Sequence, residues 1–172
     1  MMVLMDTHIL LWAFSDSDRL TDSVRNAIDK NDVCISIASL WEIAIKASLN
    51  RTDKRLELED SIQTIADTCK AQGIDIIPIT PDDCQRIRIL PHHHEDPFDR
   101  IIIAQAIERD IPLITKDENI WKYEEVKKSG RYGRIRRHRH CDLLHRRFPA
   151  GHRRGDPAGP AWSADHQASH GC

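Results

Sequence analysis

The chain has 172 residues, a length that suits one domain able to bury a core without disulfides or a structural metal. Its five cysteines, Cys34, Cys69, Cys84, Cys141 and Cys172, are odd in number and form no Cys-x-x-Cys pair, which argues against a disulfide framework or a cysteine zinc site and fits a reducing compartment. The net charge of −2 conceals a split: Met1 to Gly130 holds 16 Lys+Arg against 24 Asp+Glu, whereas Arg131 to Cys172 holds 9 against 3 and six of the ten histidines.

The opening MMVLMDTHILLWAF is apolar but carries Asp6 and His8 and lacks a basic leader, so it does not read as a signal peptide. No apolar run reaches the ~20 residues of a membrane helix, and the expectation is a soluble, cytoplasmic protein with no membrane partner. Met2 to Met5 is expected as a short buried strand ending at Asp6, and HILLWAF as a helix. Asp18 to Asp29 reads as a second helix, VCISI as the next strand, and Ala38 to Leu49 as a helix with Leu40, Ile43, Ala44 and Ala47 on one face. A helix over Leu58 to Gln72 stops at Gly73, a C-cap. Ile74 to Ile79 is a strand with Pro78 marking an edge or an early end. Helices over Asp82 to Ile89 and Pro97 to Arg109 follow, then a last clear strand, Pro112 to Thr115.

Short apolar strands alternating with helices require crossover connections and a parallel sheet covered on both faces. The predicted fold is α/β: a three-layer α/β/α domain over residues 1–130 with a central parallel sheet of four to five strands. Residues 131–172 form a basic tail rich in Arg, His, Gly and Pro, without a usable period, and are expected to be disordered. The tail reads either as an RNA-binding arm or, preferred here, as a non-native or frame-shifted extension that the fold does not need.

Sites in parallel sheets gather beyond the carboxyl ends of the strands. Asp6 follows the first strand and Asp117 the last, so both belong on one edge. Asp99 lies in the first turn of a helix that enters from the same edge. Glu42 lies within the first turn or so of the helix after VCIS, if that helix begins near Ala38 or Ser39. Several carboxylates sharing a partly desolvated pocket need a cation or must take up protons, and oxygen ligands select Mg²⁺ or Mn²⁺. Each residue alone has a simpler account: Asp6 as a helix cap, Asp117 as a turn residue in TKDEN, Glu42 as an i,i+4 partner of Lys46. Asp96 before Pro97 is the natural N-cap, with Asp99 at N3 as the reciprocal acid of a capping box, so capping and ligation compete for Asp99. The three histidines His92, His93 and His94 lack the spacing of a helical zinc site and read as a solvated or substrate-facing loop.

In that order, MVLMDTHILLW, SIASLWEIAIK, LPHHHEDPFDRIIIAQA and PLITKDENIWKY resemble the PIN-domain ribonucleases, and most of all the VapC toxins of bacterial toxin–antitoxin systems. The resemblance covers Met1 to Val126. It implies a compact α/β/α fold, a homodimer or a toxin–antitoxin hetero-oligomer, Mg²⁺- or Mn²⁺-dependent cleavage of RNA, and inhibition by a cognate antitoxin that inserts a segment near the active site. The family's acidic site falls on Asp6, Glu42, Asp99 and Asp117, the four residues chosen by the strand-end argument. Thr115 matches a small polar residue that can hold a metal-bound water, and Asp96 a motif position whose role is capping. The chain departs from the family after Tyr123, where it reads EEVKKSGRYGRIRR in place of the usual final apolar sequence: either the fifth strand is lost, or a polar version persists, or the frame has shifted.

The functional expectation is therefore a metal-dependent endoribonuclease acting on single-stranded or looped RNA, with Lys46, Arg100 and Lys116 as candidate contacts to flanking phosphates. Its rivals are a catalytically silent binding or regulatory module of the same fold, a DNA nuclease with the same metal chemistry, and an RNA-binding protein working through its basic tail.

Overall fold

The structure is a computed structural model that describes residues 1–15, 17–48 and 61–126. The basic tail, the boundary at Gly130, any strand after the Tyr123 region and the start of the helix expected from Leu58 lie outside the described residues. Among the described residues four strands form one parallel sheet: β1 (Met2–Met5), β2 (Asp32–Ser36), β3 (Ile74–Ile77) and β4 (Leu113–Ile114), in the order β3-β2-β1-β4. Six α-helices among the same residues join them: α1 (Thr7–Ser15), α2 (Asp22–Lys30), α3 (Ile37–Ser48), α4 (Ile62–Ala71), α5 (Pro81–Ile89) and α6 (Pro97–Glu108).

The strands are apolar on both faces because both are covered, the expected pattern for parallel sheets. Val3, Met5, Val33, Ile35 and Ile114 pack with α1, α2, α4 and Leu40 and Ile43 of α3. The alternate residues Leu4, Cys34 and Leu113 pack with α6 and with Ile120, Tyr123 and Val126. This is the expected three-layer α/β/α architecture. Each fully buried Leu, Ile or Val contributes about 1.5–3 kcal/mol of transfer free energy. Cys34 and Cys69 are buried free thiols whose burial pushes both up to about 11. No helix among the described residues is long and apolar enough to cross a membrane.

Three boundaries differ from the sequence reading for local reasons. The helix expected from Asp18 splits into a 3₁₀ turn, Ser17–Arg19, and α2, because Thr21 acts as N-cap and accepts from Val24 N at 3.3 Å. Arg25 reaches back over the break to the carbonyls of Ser17 and Leu20. The β4 ladder shrinks to two residues, with Leu4 N donating to Pro112 O at 2.8 Å and Asp6 N to Ile114 O at 3.0 Å. Strand β3 ends at Ile77, just before Pro78. Gly73 takes φ +68°, the left-handed cap position expected for it after α4.

Helices α5 and α6 are clamped at one end. Thr80 and Asp83 form a capping box, Thr80 N donating to Asp83 Oδ2 at 2.8 Å and Asp83 N to Thr80 Oγ1 at 3.3 Å. Arg109 at the end of α6 donates to both oxygens of the fully buried Asp83, at 2.5 and 3.1 Å. Burial alone would raise that carboxyl, but the Arg109 guanidinium and the Thr80 contacts hold it below its ordinary value. The clamp sets the angle at which α6 enters the sheet edge carrying Asp99.

Candidate functional site

The site lies beyond the carboxyl ends of β1 and β4. Asp6 follows β1 directly, and its side chain is 2 % exposed. Its Oδ2 accepts from the buried Thr115 hydroxyl at 2.7 Å, which ties the end of β1 to the end of β4. Its Oδ1 is buried and has no hydrogen-bond partner among the described residues. Burial raises the Asp6 carboxyl, and the Thr115 hydroxyl and nearby His8 do not offset it; Glu42 pushes the same way. The Thr115 hydroxyl also accepts from Asp117 N at 3.0 Å, so this residue orients two acids. A Thr7 to Ser39 hydroxyl contact of 3.0 Å fixes the start of α1 against α3.

Glu42 sits in the second turn of α3, because the helix starts at Ile37, one residue earlier than expected. The carboxylate is 3 % exposed; Oε1 takes the ammonium of Lys46, and Oε2 is buried without a partner. The i,i+4 pair therefore forms, but facing the site rather than on a solvated face. Burial would lower the Lys46 ammonium, yet Glu42, with Asp96 and Asp99, holds it above its ordinary value.

Asp96 is the N-cap of α6, accepting from Phe98 N at 2.8 Å. The reciprocal half of the expected capping box is absent, since Asp96 N donates to His94 Nδ1 instead, at 3.2 Å. Asp99 at N3 is thereby free to face the acids. Its carboxyl is pushed up to about 7, first by burial and then by the charges of Asp6, Asp96 and Glu42, with His94 opposing. Asp117 differs: burial would raise it, but the hydrogen bond with His94 and the peptide N–H of Asn119 hold it below its ordinary value.

His94 is the site residue that sequence reasoning missed. Of the three histidines, His92 and His93 are exposed, and His93 stacks edge-on against Tyr123 at 5.0 Å. His94 turns inward, with Nε2 2.8 Å from Asp117 Oδ2 and 3.3 Å from Asp99 Oδ2. His94, Asp99 and Asp117 offer three atoms within 4.8 Å of one another, a cluster able to coordinate a divalent metal. The signal available beforehand was that the N-cap proline turn folds the chain two residues upstream back over the helix start.

The expected phosphate contacts fall in different places. Arg100 is 6 % exposed and donates to the carbonyls of Ile87, Leu90, Pro91 and His94 at 2.9 to 3.3 Å. Its guanidinium is engaged with the carbonyls of the histidine loop and the end of α5, because five donors in a fixed fork match a cluster of loop carbonyls well. Lys116 is exposed, with Nζ 4.9 Å from the centre of the Trp12 ring. Lys46 is half-buried on Glu42.

The hydrogen-bond inventory of these residues suits a metal ion. Buried carboxylate oxygens are expected to be paired, yet among the described residues Asp6 Oδ1 and Glu42 Oε2 are not, and burial beside Asp6, Asp96 and Glu42 pushes the Asp99 carboxyl up to about 7. An oxygen-rich cluster with two unsatisfied oxygens fits a hard divalent ion.

The chain matches the PIN domain family over residues 3–126. It is 30 % identical over 120 residues to Ribonuclease VapC22 of Mycobacterium tuberculosis, covering 69 % of this chain and 88 % of that protein. Among solved structures it is similar to VapBC2 from Rickettsia felis bound to a DNA fragment from its promoter, at 18 % identity and a TM-score of 0.53, covering 74 % of this chain and 97 % of that one. A toxin–antitoxin complex from Klebsiella pneumoniae aligns at 20 % identity and a TM-score of 0.47, covering 74 % and 98 %.

Proposed function

The chain belongs to the PIN domain family and is related to the VapC-type toxins of type II toxin–antitoxin systems, and from that premise we propose that it is a Mg²⁺- or Mn²⁺-dependent endoribonuclease, the toxin of such a pair. Its substrate on this reading is single-stranded or looped RNA, where a phosphate is accessible and the flanking bases are unstacked. The partner is a cognate antitoxin, bound to a toxin homodimer or within a hetero-oligomer in the cytoplasm.

The observation that carries the reading is the pair of buried, unpartnered oxygens, Asp6 Oδ1 and Glu42 Oε2, in the same pocket as Asp99. Asp6, Glu42 and Asp99 would hold the ion, with Asp117 completing the acidic set. The bound ion would supply a water of lowered pKa and neutralise charge developing on the phosphate. Thr115 keeps Asp6 turned toward the pocket and anchors the peptide of Asp117. Lys46 fixes one Glu42 oxygen and leaves the other open. Lys116, exposed beside Asp117, is a cation available to a flanking phosphate.

The test is cleavage of a single-stranded RNA and of DNA of the same sequence by the full chain, with Mg²⁺ or Mn²⁺ and with EDTA. RNA cleavage that needs the ion and stops with EDTA is expected, with DNA left intact. RNA cleavage unaffected by EDTA, or cleavage of the DNA alone, contradicts the proposal.

A further inference from the structure

Building on the metal-dependent reading above, we infer that His94 is a positioning residue rather than a metal ligand: its Nε2–H holds the carboxylate of Asp117 beside that of Asp99, and the divalent ion is taken on the side of the cluster lined by Asp6 and Glu42. Distances alone would admit His94, Asp99 and Asp117 as a coordinating triad. Hydrogen bookkeeping decides otherwise. Asp96 N is a fixed donor, and it lies 3.2 Å from His94 Nδ1. Nδ1 must therefore present its lone pair to that N–H, which leaves the ring hydrogen on Nε2. A nitrogen carrying hydrogen has no lone pair to give an ion. Nε2–H instead meets Asp117 Oδ2 at 2.8 Å and Asp99 Oδ2 at 3.3 Å. A ligating histidine is arranged the other way round, with its distal N–H donated outward to a carbonyl or carboxylate.

The loop is built to hold this orientation. His94 N donates to Tyr123 Oη at 3.0 Å, and Tyr123 Oη donates to Pro91 O at 2.9 Å. Arg100 binds the carbonyls of Pro91 and His94 at 2.9 and 3.3 Å. Asp96 N is fixed in turn, because Asp96 caps α6. The ring therefore cannot exchange the roles of its nitrogens without losing the bond from Asp96 N to Nδ1. Across the pocket the two unpartnered oxygens, Asp6 Oδ1 and Glu42 Oε2, still lack a partner. Those atoms, together with the Asp99 carboxylate that lies 3.3 Å from His94 Nε2, are the donors left for an ion.

The experiment uses the full chain loaded with Mn²⁺ alone, with pulsed EPR to detect nitrogen bonded to the ion and titration to measure Mn²⁺ affinity. The wild type is expected to lack the coupling of a directly bonded ¹⁴N. His94→Ala is expected to weaken Mn²⁺ binding roughly 10–100-fold, the usual cost of losing a partner that orients a ligand. His94→Gln, which keeps an N–H donor, is expected to restore affinity to within a few-fold, whereas His94→Leu, which fills similar space without a donor, is not. A bonded-nitrogen coupling in the wild type that disappears in His94→Gln overturns the inference, as does His94→Ala binding Mn²⁺ as tightly as the wild type. Either result leaves the nuclease reading standing if RNA cleavage still requires the ion. A wild type that binds no Mn²⁺ and cleaves no RNA overturns both.

Discussion

Asp99→Asn is expected to reduce metal-dependent RNA cleavage by more than about 100-fold, past the upper end of the roughly 10–100-fold cost of losing an outer partner of a ligand. The same change should make the metal-free protein more stable at pH 8. The wild-type carboxyl moves from 3.8 to about 7 on folding, because burial and the charges of Asp6, Asp96 and Glu42 disfavour its ionised form. Folding therefore takes up a proton between those values, and metal-free stability falls as pH rises through that window. The penalty is absent below the unfolded value and complete above the folded one. Asn does not titrate and escapes it. Activity assays joined to thermal melts at pH 5 and pH 8 check both halves. Loss of activity with a gain in stability at pH 8 separates a lost ligand from a damaged fold, and an Asp99→Asn enzyme of undiminished activity would remove Asp99 from the mechanism.

Arg100→Met is expected to cost about 3–5 kcal/mol of stability, because hydrogen bonds from a charged donor contribute roughly 1.5–3 kcal/mol each and water recovers only part of the loss. For a domain of this size that corresponds to a Tm lowered by roughly 10–20 °C. The four carbonyls of Ile87, Leu90, Pro91 and His94 would lose a shared donor in a largely buried place. Arg100→Lys should recover only part of the loss, because a point charge cannot reproduce the planar fork. Chemical denaturation measures the effect. A variant of nearly wild-type stability with weakened RNA affinity would return Arg100 to the substrate-facing role its sequence neighbourhood suggests.

The fold was legible because its elements carry their own local signals. MVLM, VCISI and PLIT are too short and too uniformly apolar to be surface helices, and Gly73 and the Asp96-Pro97 pair announce helix ends through backbone chemistry. The parallel-sheet rule then placed Asp6 and Asp117 at one edge before any contact was known, and the structure connects them through Thr115. The acid at position 99 was ambiguous in sequence because N3 acids are ordinary capping partners. Only the spatial fact that Asp96 N is taken by His94 releases it.

His94 and Arg100 were misread for a shared reason. Both are polar residues in a polar stretch, and nothing local tells a loop facing solvent from a loop folded back over a helix start. Arg100 follows Asp99 directly, yet on a helix adjacent residues face different ways, so proximity in sequence to the acids put it on the wrong side. The split of the helix near Thr21 was hidden similarly: Leu20, Val24 and Ile28 keep a helical period across a cap that interrupts the backbone.

The central claim concerns where an ion sits, and an anomalous difference map from crystals of the full chain grown with Mn²⁺ addresses it directly. The account predicts one peak or a close pair in contact with Asp6, Glu42 and Asp99, with His94 Nε2 outside bonding distance. A peak bonded to His94, or manganese bound only away from these carboxylates, would contradict it.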